Sequence, residues 1–364
     1  MREIILTKVD TGIALNPNDL RYLLMLENED DIQQLYKKAY QIKLKNVGKK
    51  VYFRGIIEFS NICEKDCFYC GIRKSNHKVK RFMLKEEEIR EGARWAFESG
   101  YGSMVLQSGE RSDAKFVAFI ENILKKVKSE TDGRLGITLS LGEQTRETYQ
   151  RWFDAGAHRY LLRIESTNPE LYHKLHPADH DFEYRKNCLS LLREVGYQVG
   201  TGVMIGLPGQ SINDLVNDIL FFKANDIDMI GMGPYIPHAD TPLSNNFPDF
   251  QFGAERQLQL GLKMIAVTRL FLQDVNIAAT TALQALNPTG REMGLMAGAN
   301  IIMPNVTETK YRSSYQLYDN KPCLNENSTQ CRGCLELRIE GIGEFIGLNE
   351  WGDSPHFFNR LRMG

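Results

Sequence analysis

EFSNICEKDCFYCGIR, Glu58–Arg73, carries three of the chain's seven cysteines within eight residues: Cys63, Cys67 and Cys70. They follow a strand-like run, Val51–Phe59, and the C-x3-C-x2-C spacing offers three thiolates, one to each of three corners of a cubane iron–sulfur cluster. A [4Fe–4S] cluster has four irons, so three cysteines leave one iron open to another molecule. Two plainer readings stand beside this one. A zinc site wants four ligands at paired spacings, and His77 is the one further Cys or His close by in sequence. A disulfide wants an oxidising compartment, and no export signal accompanies these cysteines.

With 364 residues, 42% hydrophobic and 25% charged, the chain has the composition of a globular protein able to bury a large core. A formal net charge of −1 gives no basic field for nucleic acid or an anionic membrane. The opening MREIILTKVDTG is too short in apolar residues for a secretory signal, and no run of ~18 apolar residues occurs. A cytoplasmic protein with reduced thiols is expected.

Residues 18–45 space Leu20, Leu23, Leu24, Leu26, Ile32, Leu35, Ala39 and Ile42 along a helical face broken near 27–31. This predicts a helical N-terminal cap within residues 1–50. From Val51 a strand-then-helix unit recurs, with strands predicted at 51–59, 103–108, 136–142, 159–166, 200–207, 229–236, 277–283 and 299–304. Amphipathic helices are predicted at 85–98, 113–128, 145–154, 182–194, 212–224 and 252–271. Gly100, Gly156 and Gly196 sit where a left-handed residue closes a helix. Each parallel crossover needs a helix, so the alternation over residues 51–305 predicts an α/β fold, a (β/α)8 TIM barrel. On periodicity alone a doubly wound open sheet also fits. Beyond Asn305 the alternation stops, and residues 306–364 read as a C-terminal extension crossing the barrel surface.

The predicted fourth strand places Arg159, Leu161, Arg163 and Glu165 on one face. Two arginines and a glutamate are costly to bury without partners, so they meet either an anionic ligand or one another in a structural ion-pair network. Arg54, on the strand entering the cysteine loop, adds a further cation. Glycines end the second strand, Leu106–Gln107–Ser108–Gly109–Glu110, and the fifth, Gly202–Gln210, where a backbone can approach a ligand closely or simply turn. Thr280 and Thr281, expected to end the seventh strand, either bind a ligand or satisfy backbone groups. Cys188 lies in a helical pattern and reads as a packed thiol, and His238 as a loop residue without a role. Cys323, Cys331 and Cys334 form a second candidate, for a [2Fe–2S] or [4Fe–4S] cluster in an accessory role, with zinc or an empty site as the alternatives.

The cysteine loop, including the aromatic Tyr69 before its last cysteine, resembles that of the radical S-adenosylmethionine (radical SAM) superfamily. There the open iron is chelated by the amino and carboxylate groups of the cofactor's methionine. LQSGE resembles the segment that hydrogen-bonds the methionine amino group, with Ser108 where many members carry glycine, and the Gly202–Gln210 stretch resembles the segment that contacts adenine. Taken with ITLSLGE, RYLLRIESTNP, GLPGQ, IPHADTP and AATTA, the chain from about residue 15 to its C-terminal cysteines is similar to the HydE family of [FeFe]-hydrogenase maturases. That resemblance implies a complete barrel, a reduced cluster at Cys63, Cys67 and Cys70, and reductive cleavage of S-adenosyl-L-methionine to methionine and a 5′-deoxyadenosyl radical. It implies cofactor contacts at or beside Tyr69, Gln107, Ser108, Gly109, Glu110, Ser140, Glu165, Arg185 and Met204, with Glu165 on the ribose. It further implies a small substrate, a cysteine-bound iron dicarbonyl cyanide complex supplied by a partner maturase, and an electron donor such as ferredoxin or flavodoxin. Arg54, Arg159, Arg163, Thr280, Thr281 and Tyr315 are the residues expected to hold that anionic substrate, and no side chain is needed as a general base. Two other readings stay open. A sister enzyme on a small amino acid, such as a methylornithine synthase, shares the first loop. A non-catalytic iron–sulfur carrier would bind the cluster and cleave nothing. A biotin synthase would hold a sacrificial cluster on barrel-strand cysteines, and no predicted strand contains one.

Overall fold

Parallel strands stand at all eight predicted positions, and backbone hydrogen bonds join them into a ring. The computed structural model describes residues 1–247 and 253–363. The strands are Lys50–Ser60, Ser103–Ser108, Gly136–Ser140, Arg159–Leu161, Gln198–Thr201 continued by Met204–Ile205, Met229–Ile230 continued by Gly233–Pro234, Asn276–Ile277 and Ile301–Ile302. Neighbours in chain order pair in parallel from the first to the seventh. The eighth strand pairs with the first, and the Ala279 N–H beyond the seventh donates to Ile301 O at 2.9 Å. An open doubly wound sheet keeps two edges. This ring keeps none, so the fold is the (β/α)8 barrel.

The helices between the strands lie within two residues of the predicted ends, for example Glu86–Glu98, Arg146–Asp154 and Ile212–Ala224. Side-chain caps begin several of them, such as Thr145 accepting from Thr148 N and Ser211 from Asp214 N. Gly100, Gly156 and Gly196 all take positive φ, 78°, 110° and 109°. The predicted helix start at Phe252 lies outside the described residues, and the helix runs Ala254–Leu272. Among the described residues no helix is long and apolar enough to cross a membrane.

Two expectations are corrected. The fourth strand is shorter than predicted, ending at Leu161 and touching the sheet again only at a bridge between Glu165 and Val203. Thr280 and Thr281 do not end a strand: Thr280 is the N-cap of the helix Thr281–Leu286. The N-terminal segment is helical, Arg2–Asp10, Pro17–Leu24 and Glu29–Asn46. These helices pack on the barrel's flank, where Tyr36 Oη donates to Gln259 O at 3.4 Å and Lys263 Nζ to Leu26 O at 2.9 Å. Leu20, Leu35 and Ala39 join the same core as Leu262 and Ile265.

The C-terminal extension does more than cross a surface. Its first part spans the barrel's C-terminal face, where Leu317 O accepts from Gly71 N and Asp319 N donates to Pro237 O, both at 3.0 Å. After the helix Ser328–Gly341, Phe345–Ile346 adds a parallel strand to the start of the first. Residues 351–354 then close the barrel's N-terminal end. Arg54 and Arg159, 1% and 0% exposed, point into the barrel as predicted but sit at this floor. Arg54 Nη2 donates to Gly352 O at 3.0 Å and Arg159 Nη1 to Trp351 O at 3.1 Å, while Arg159 is ion-paired with Asp353. The plug thus fills the place where an anionic ligand was expected to meet these two arginines. Their partners are the tail's carbonyls and carboxylate.

Asp353→Ala leaves the Arg159 guanidinium buried and unpaired, and is expected to cost ~3–5 kcal/mol of stability at neutral pH, read by anaerobic urea unfolding. Burial pushes the Asp353 carboxyl up, but the His158 hydrogen bond and the Arg159 charge outweigh it and hold it well below the usual carboxylate range. A depressed carboxyl stabilises fully above its unfolded pKa and loses that contribution as pH falls through the folded value. Wild type and variant are therefore expected to differ fully above pH ~4 and to converge below it. Equal stability at neutral pH contradicts this.

Candidate active site

The cysteine loop leaves the first strand at Ser60, where the register with the second strand shifts. Asn61 anchors its start, donating through Nδ2 to Lys80 O at 2.8 Å and Ser314 O at 2.6 Å and accepting from Phe82 N at 2.8 Å. Arg81 gathers both ends, donating to the carbonyls of Asn61, Ile72 and Arg73 at 2.6, 2.7 and 2.6 Å. Phe68 and Tyr69 pack on a small apolar platform of Leu171, Leu175, Met204, Leu207, Tyr235 and Leu243. His238, read as a bystander, braces the loop: a Cβ on Gly71 would lie 2.3 Å from its ring.

Backbone donors face the sulfurs, with Glu110 N–H on Cys63 Sγ at 3.3 Å. Burial pushes all three thiols up, Cys70 to about 12, and the neighbouring thiolates add to the rise at Cys67 and Cys70. Three such groups are thiolates together only around metal. This donor set fits a cubane cluster with three protein ligands and one open iron.

Gly109 sets how closely the second strand meets the loop. A Cβ there would stand 2.4 Å from Ile62 O and 2.8 Å from Cys63 Cβ, a separation that real Cβ atoms do not tolerate. Ser108 donates to Gly109 O at 2.7 Å. Outside this contact Lys65 pairs with Glu143 at 2.8 Å and Glu110 at 3.4 Å, and Arg185 with the same carboxylates at 2.8 and 3.9 Å. Burial raises the Glu110 carboxyl despite these cations. Ser108, Gly109, Glu110 and Arg185 thus form the loop's support and lie outside the cavity lining.

The cavity opens beneath the loop inside the barrel's C-terminal half. Of the residues predicted to hold a cofactor or substrate, Tyr69, Gln107, Ser140, Arg163, Glu165, Met204, Thr280 and Thr281 line it. Tyr315 stands one layer back, its hydroxyl accepting from Gln107 Nε2 at 3.2 Å. Arg54 and Arg159 do not reach it. Glu165 takes φ +65°, a left-handed backbone that costs a non-glycine residue on the order of 1 kcal/mol or more. Its N–H donates to Gly202 O at 3.0 Å, its carbonyl accepts from Met204 N at 2.9 Å, and its carboxylate pairs with Arg163 at 2.9 Å. That turn brings the carboxylate to the cavity wall after the strand itself has ended.

Several lining groups escaped the sequence reading. Glu58 pairs with Lys321 and accepts from Asn305 Nδ2 at 3.0 Å. Arg291 and Tyr318 also face the cavity. Near the loop, the ligand atoms of Cys67, His176 and His180 lie within 4.8 Å of one another, and Tyr69 Oη is 3.4 Å from His176 Nε2. Burial pulls both imidazoles down, His176 to about 3, so they are neutral and able to ligate or to hydrogen-bond sulfur. The H-x3-H spacing of His176 and His180 was the available signal. His77, the histidine singled out by proximity in sequence, is exposed instead.

In the C-terminal group Cys323 lines the cavity wall, Cys331 is buried, and Cys334 is exposed on the same helix as Cys331. The neighbouring Cys323 thiol pulls the Cys331 thiol down, with Arg291 and Arg312 adding positive charge. Cys188 is buried in its helix, as expected of a packed thiol. Among the described residues no barrel strand carries a cysteine.

A family model described as the radical SAM superfamily matches residues 57–222. The chain is 47% identical over 343 residues to the [FeFe] hydrogenase maturase subunit HydE of Thermotoga maritima, covering 94% of each chain. It is 28% identical over 341 residues to the 3-methylornithine synthase of Methanosarcina acetivorans, covering 92% of this chain and 91% of that one. The crystal structure of methylornithine synthase (PylB) superposes with a TM-score of 0.80 at 27% identity, covering 95% of this chain and 98% of that one.

Gly109→Ala forces the second strand and the cysteine loop apart. After anaerobic reconstitution the variant is expected to hold less than ~half of the wild-type iron and sulfide, since metal binding depends on preformed ligand geometry. Loading equal to wild type would show that the contact does not govern the site.

Proposed function

The chain belongs to the radical SAM superfamily and, within it, to the family of the [FeFe] hydrogenase maturase subunit HydE, and we propose that it acts in hydrogenase maturation on a cysteine-bound iron dicarbonyl cyanide precursor. Cys63, Cys67 and Cys70 would hold a [4Fe–4S] cluster, which would supply the electron for reductive cleavage of S-adenosylmethionine. The chain's own residues bind, orient and shield. The LQSGE backbone, held against the loop by Gly109, is suited to the methionine end of the cofactor, with Ser140 and Glu165 on the ribose side and Met204 toward adenine. Arg185 and Lys65, sharing Glu110 and Glu143, position the loop.

The observation that carries the reading is the polar wall of the cavity beside this apparatus. Arg163, Lys321 and Arg291, with the hydroxyls of Thr280, Thr281 and Tyr318, suit an anionic complex bearing an amino-acid carboxylate. Tyr315 supports that wall through Gln107. The floor closed by residues 351–354 and the extension across the mouth limit solvent, which protects a radical from quenching. Delivery by another hydrogenase maturase and reduction by a ferredoxin or flavodoxin complete the proposal, with an accessory iron–sulfur cluster at Cys323, Cys331 and Cys334.

A second reading, a radical SAM enzyme on a small amino acid, is favoured by the TM-score of 0.80 with methylornithine synthase. Anaerobic formation of 5′-deoxyadenosine by the reconstituted, reduced protein separates the two. Stimulation by the iron–cysteine dicarbonyl cyanide complex and not by lysine or dethiobiotin is expected. Stimulation by lysine instead would move the protein to the sister enzyme, and a loaded cluster that cleaves nothing would make it a carrier.

A further inference from the structure

His180 is 2% exposed and lies in the turn between the helices Pro169–Leu175 and Phe182–Val195. That turn walls the cysteine loop, with Phe68 N–H donating to Leu175 O at 2.9 Å. A buried imidazole needs a partner for each nitrogen. On one side Asp66 N–H faces Nε2 at 3.5 Å, and on the other Cys67 Sγ lies 3.9 Å from Nδ1. An amide N–H only donates, so Nε2 carries the lone pair and Nδ1 the proton. The Asp179 carboxylate, 3.8 Å from Nε2, is exposed and beyond hydrogen-bond reach. His176, stacked on Tyr172 with ring centroids 4.0 Å apart, is oriented by the same logic. Its Nδ1–H donates to Tyr172 O at 2.8 Å, which leaves Nε2 to accept from Tyr69 Oη at 3.4 Å. The Tyr69 proton is thus engaged, and His180 is the side-chain donor that faces Cys67 among the described residues. Cys63, by contrast, receives a backbone donor, Glu110 N–H at 3.3 Å.

From this we infer that His180 Nδ1–H donates to the Cys67 thiolate and raises the reduction potential of the cluster proposed at Cys63, Cys67 and Cys70. The inference rests on that cluster and adds to it the side chain that sets how readily it takes an electron. Reduction adds one electron, makes and breaks no bond, and leaves the proton on Nδ1. The reduced cluster is the more negative, so a donor at a ligand sulfur stabilises it more than the oxidised one. His180 is therefore a positioning residue that acts through Cys67. The competing role is ligation, because the ligand atoms of Cys67, His176 and His180 stand close enough to share a metal ion of their own.

A redox titration of the reconstituted protein with dithionite, without S-adenosylmethionine and followed by electron paramagnetic resonance, decides between them. The Cys323, Cys331 and Cys334 to serine background restricts the signal to the first site. H180F removes the donor and is expected to lower the reduction equilibrium ~5-fold, a shift of ~40 mV at ~59 mV per tenfold for one electron. Its iron and sulfide content should match that of wild type. H180N places an amide nitrogen where Nδ1 stood and should restore most of the potential. H180Q, whose amide nitrogen falls at the place of Nε2, should behave as H180F does. A wild-type potential in H180F and H180Q, or a shift in H180N as large as in H180F, overturns the inference. So does a metal ion held in addition to the cluster by wild type and lost in H180F, which would assign the histidines to ligation. Should H180F assemble no cluster, H180N and H180Q give the comparison by themselves, and equal potentials would overturn it. A wild-type protein that assembles no reducible cluster would sink the proposed function, whereas a reducible cluster indifferent to these variants would sink this inference alone.

Discussion

Three half-buried thiols beside one another are the constraint on which the rest of this structure depends. Each is pushed up by loss of water, and two are raised further by their neighbours, so the loop is at odds with itself until metal binds. Holding such a loop open for a cluster takes external scaffolding. Asn61 and Arg81 clamp its ends, Phe68 and Tyr69 seat its middle on an apolar platform, and Gly109 brings a backbone within reach of Cys63 that any side chain would displace. The Lys65–Glu143–Arg185–Glu110 group ties the same loop to the second, third and fourth crossovers.

The C-terminal extension connects the two ends of the barrel. At the mouth it contributes Tyr318, Lys321 and Cys323 to the cavity wall. At the floor it contributes the carbonyls and carboxylate that take up Arg54 and Arg159. A buried ion pair such as Arg159–Asp353 is weak evidence for stability when compared with apolar packing, yet breaking it is expensive. Its effect is to fix the tail beneath the barrel. Charge inside the barrel is therefore divided by depth: Arg54 and Arg159 are taken up by the tail below, and Arg163 and Lys321 pair with Glu165 and Glu58 in the cavity wall above.

What the sequence made legible follows from periodicity. Alternating strand and helix patterns and helix-closing glycines located the barrel, because those signals are local. The cysteine loop was legible for the same reason. Depth along the barrel axis was not. Strand alternation placed Arg159, Arg163 and Glu165 on the inner face, but it carries no mark of whether a residue sits at floor or mouth, and Asp353 lies far away in the chain. Lys321 and Glu58 are separated by 263 residues, and Arg291 sits on a helix, Gly290–Met296, whose pattern reads as packing. Thr280 was placed at a strand end because an N-cap threonine and a strand-terminal one look alike in sequence. Across the region matched by the family model the local signals are dense, and apart from Glu58 the less legible wall, Arg291, Tyr318 and Lys321, comes from residues beyond it.

On the proposed function, Cys63, Cys67 and Cys70 hold a cluster whose fourth iron is reserved for the cofactor. Electron paramagnetic resonance of the reduced, reconstituted protein tests it directly, in a Cys323, Cys331 and Cys334 to serine background so that only the first site contributes. A cluster signal that changes on adding S-adenosylmethionine, and that is lost when Cys67 is replaced by alanine, is the predicted result. A signal indifferent to the cofactor would mean the fourth iron is already ligated, and would contradict the account.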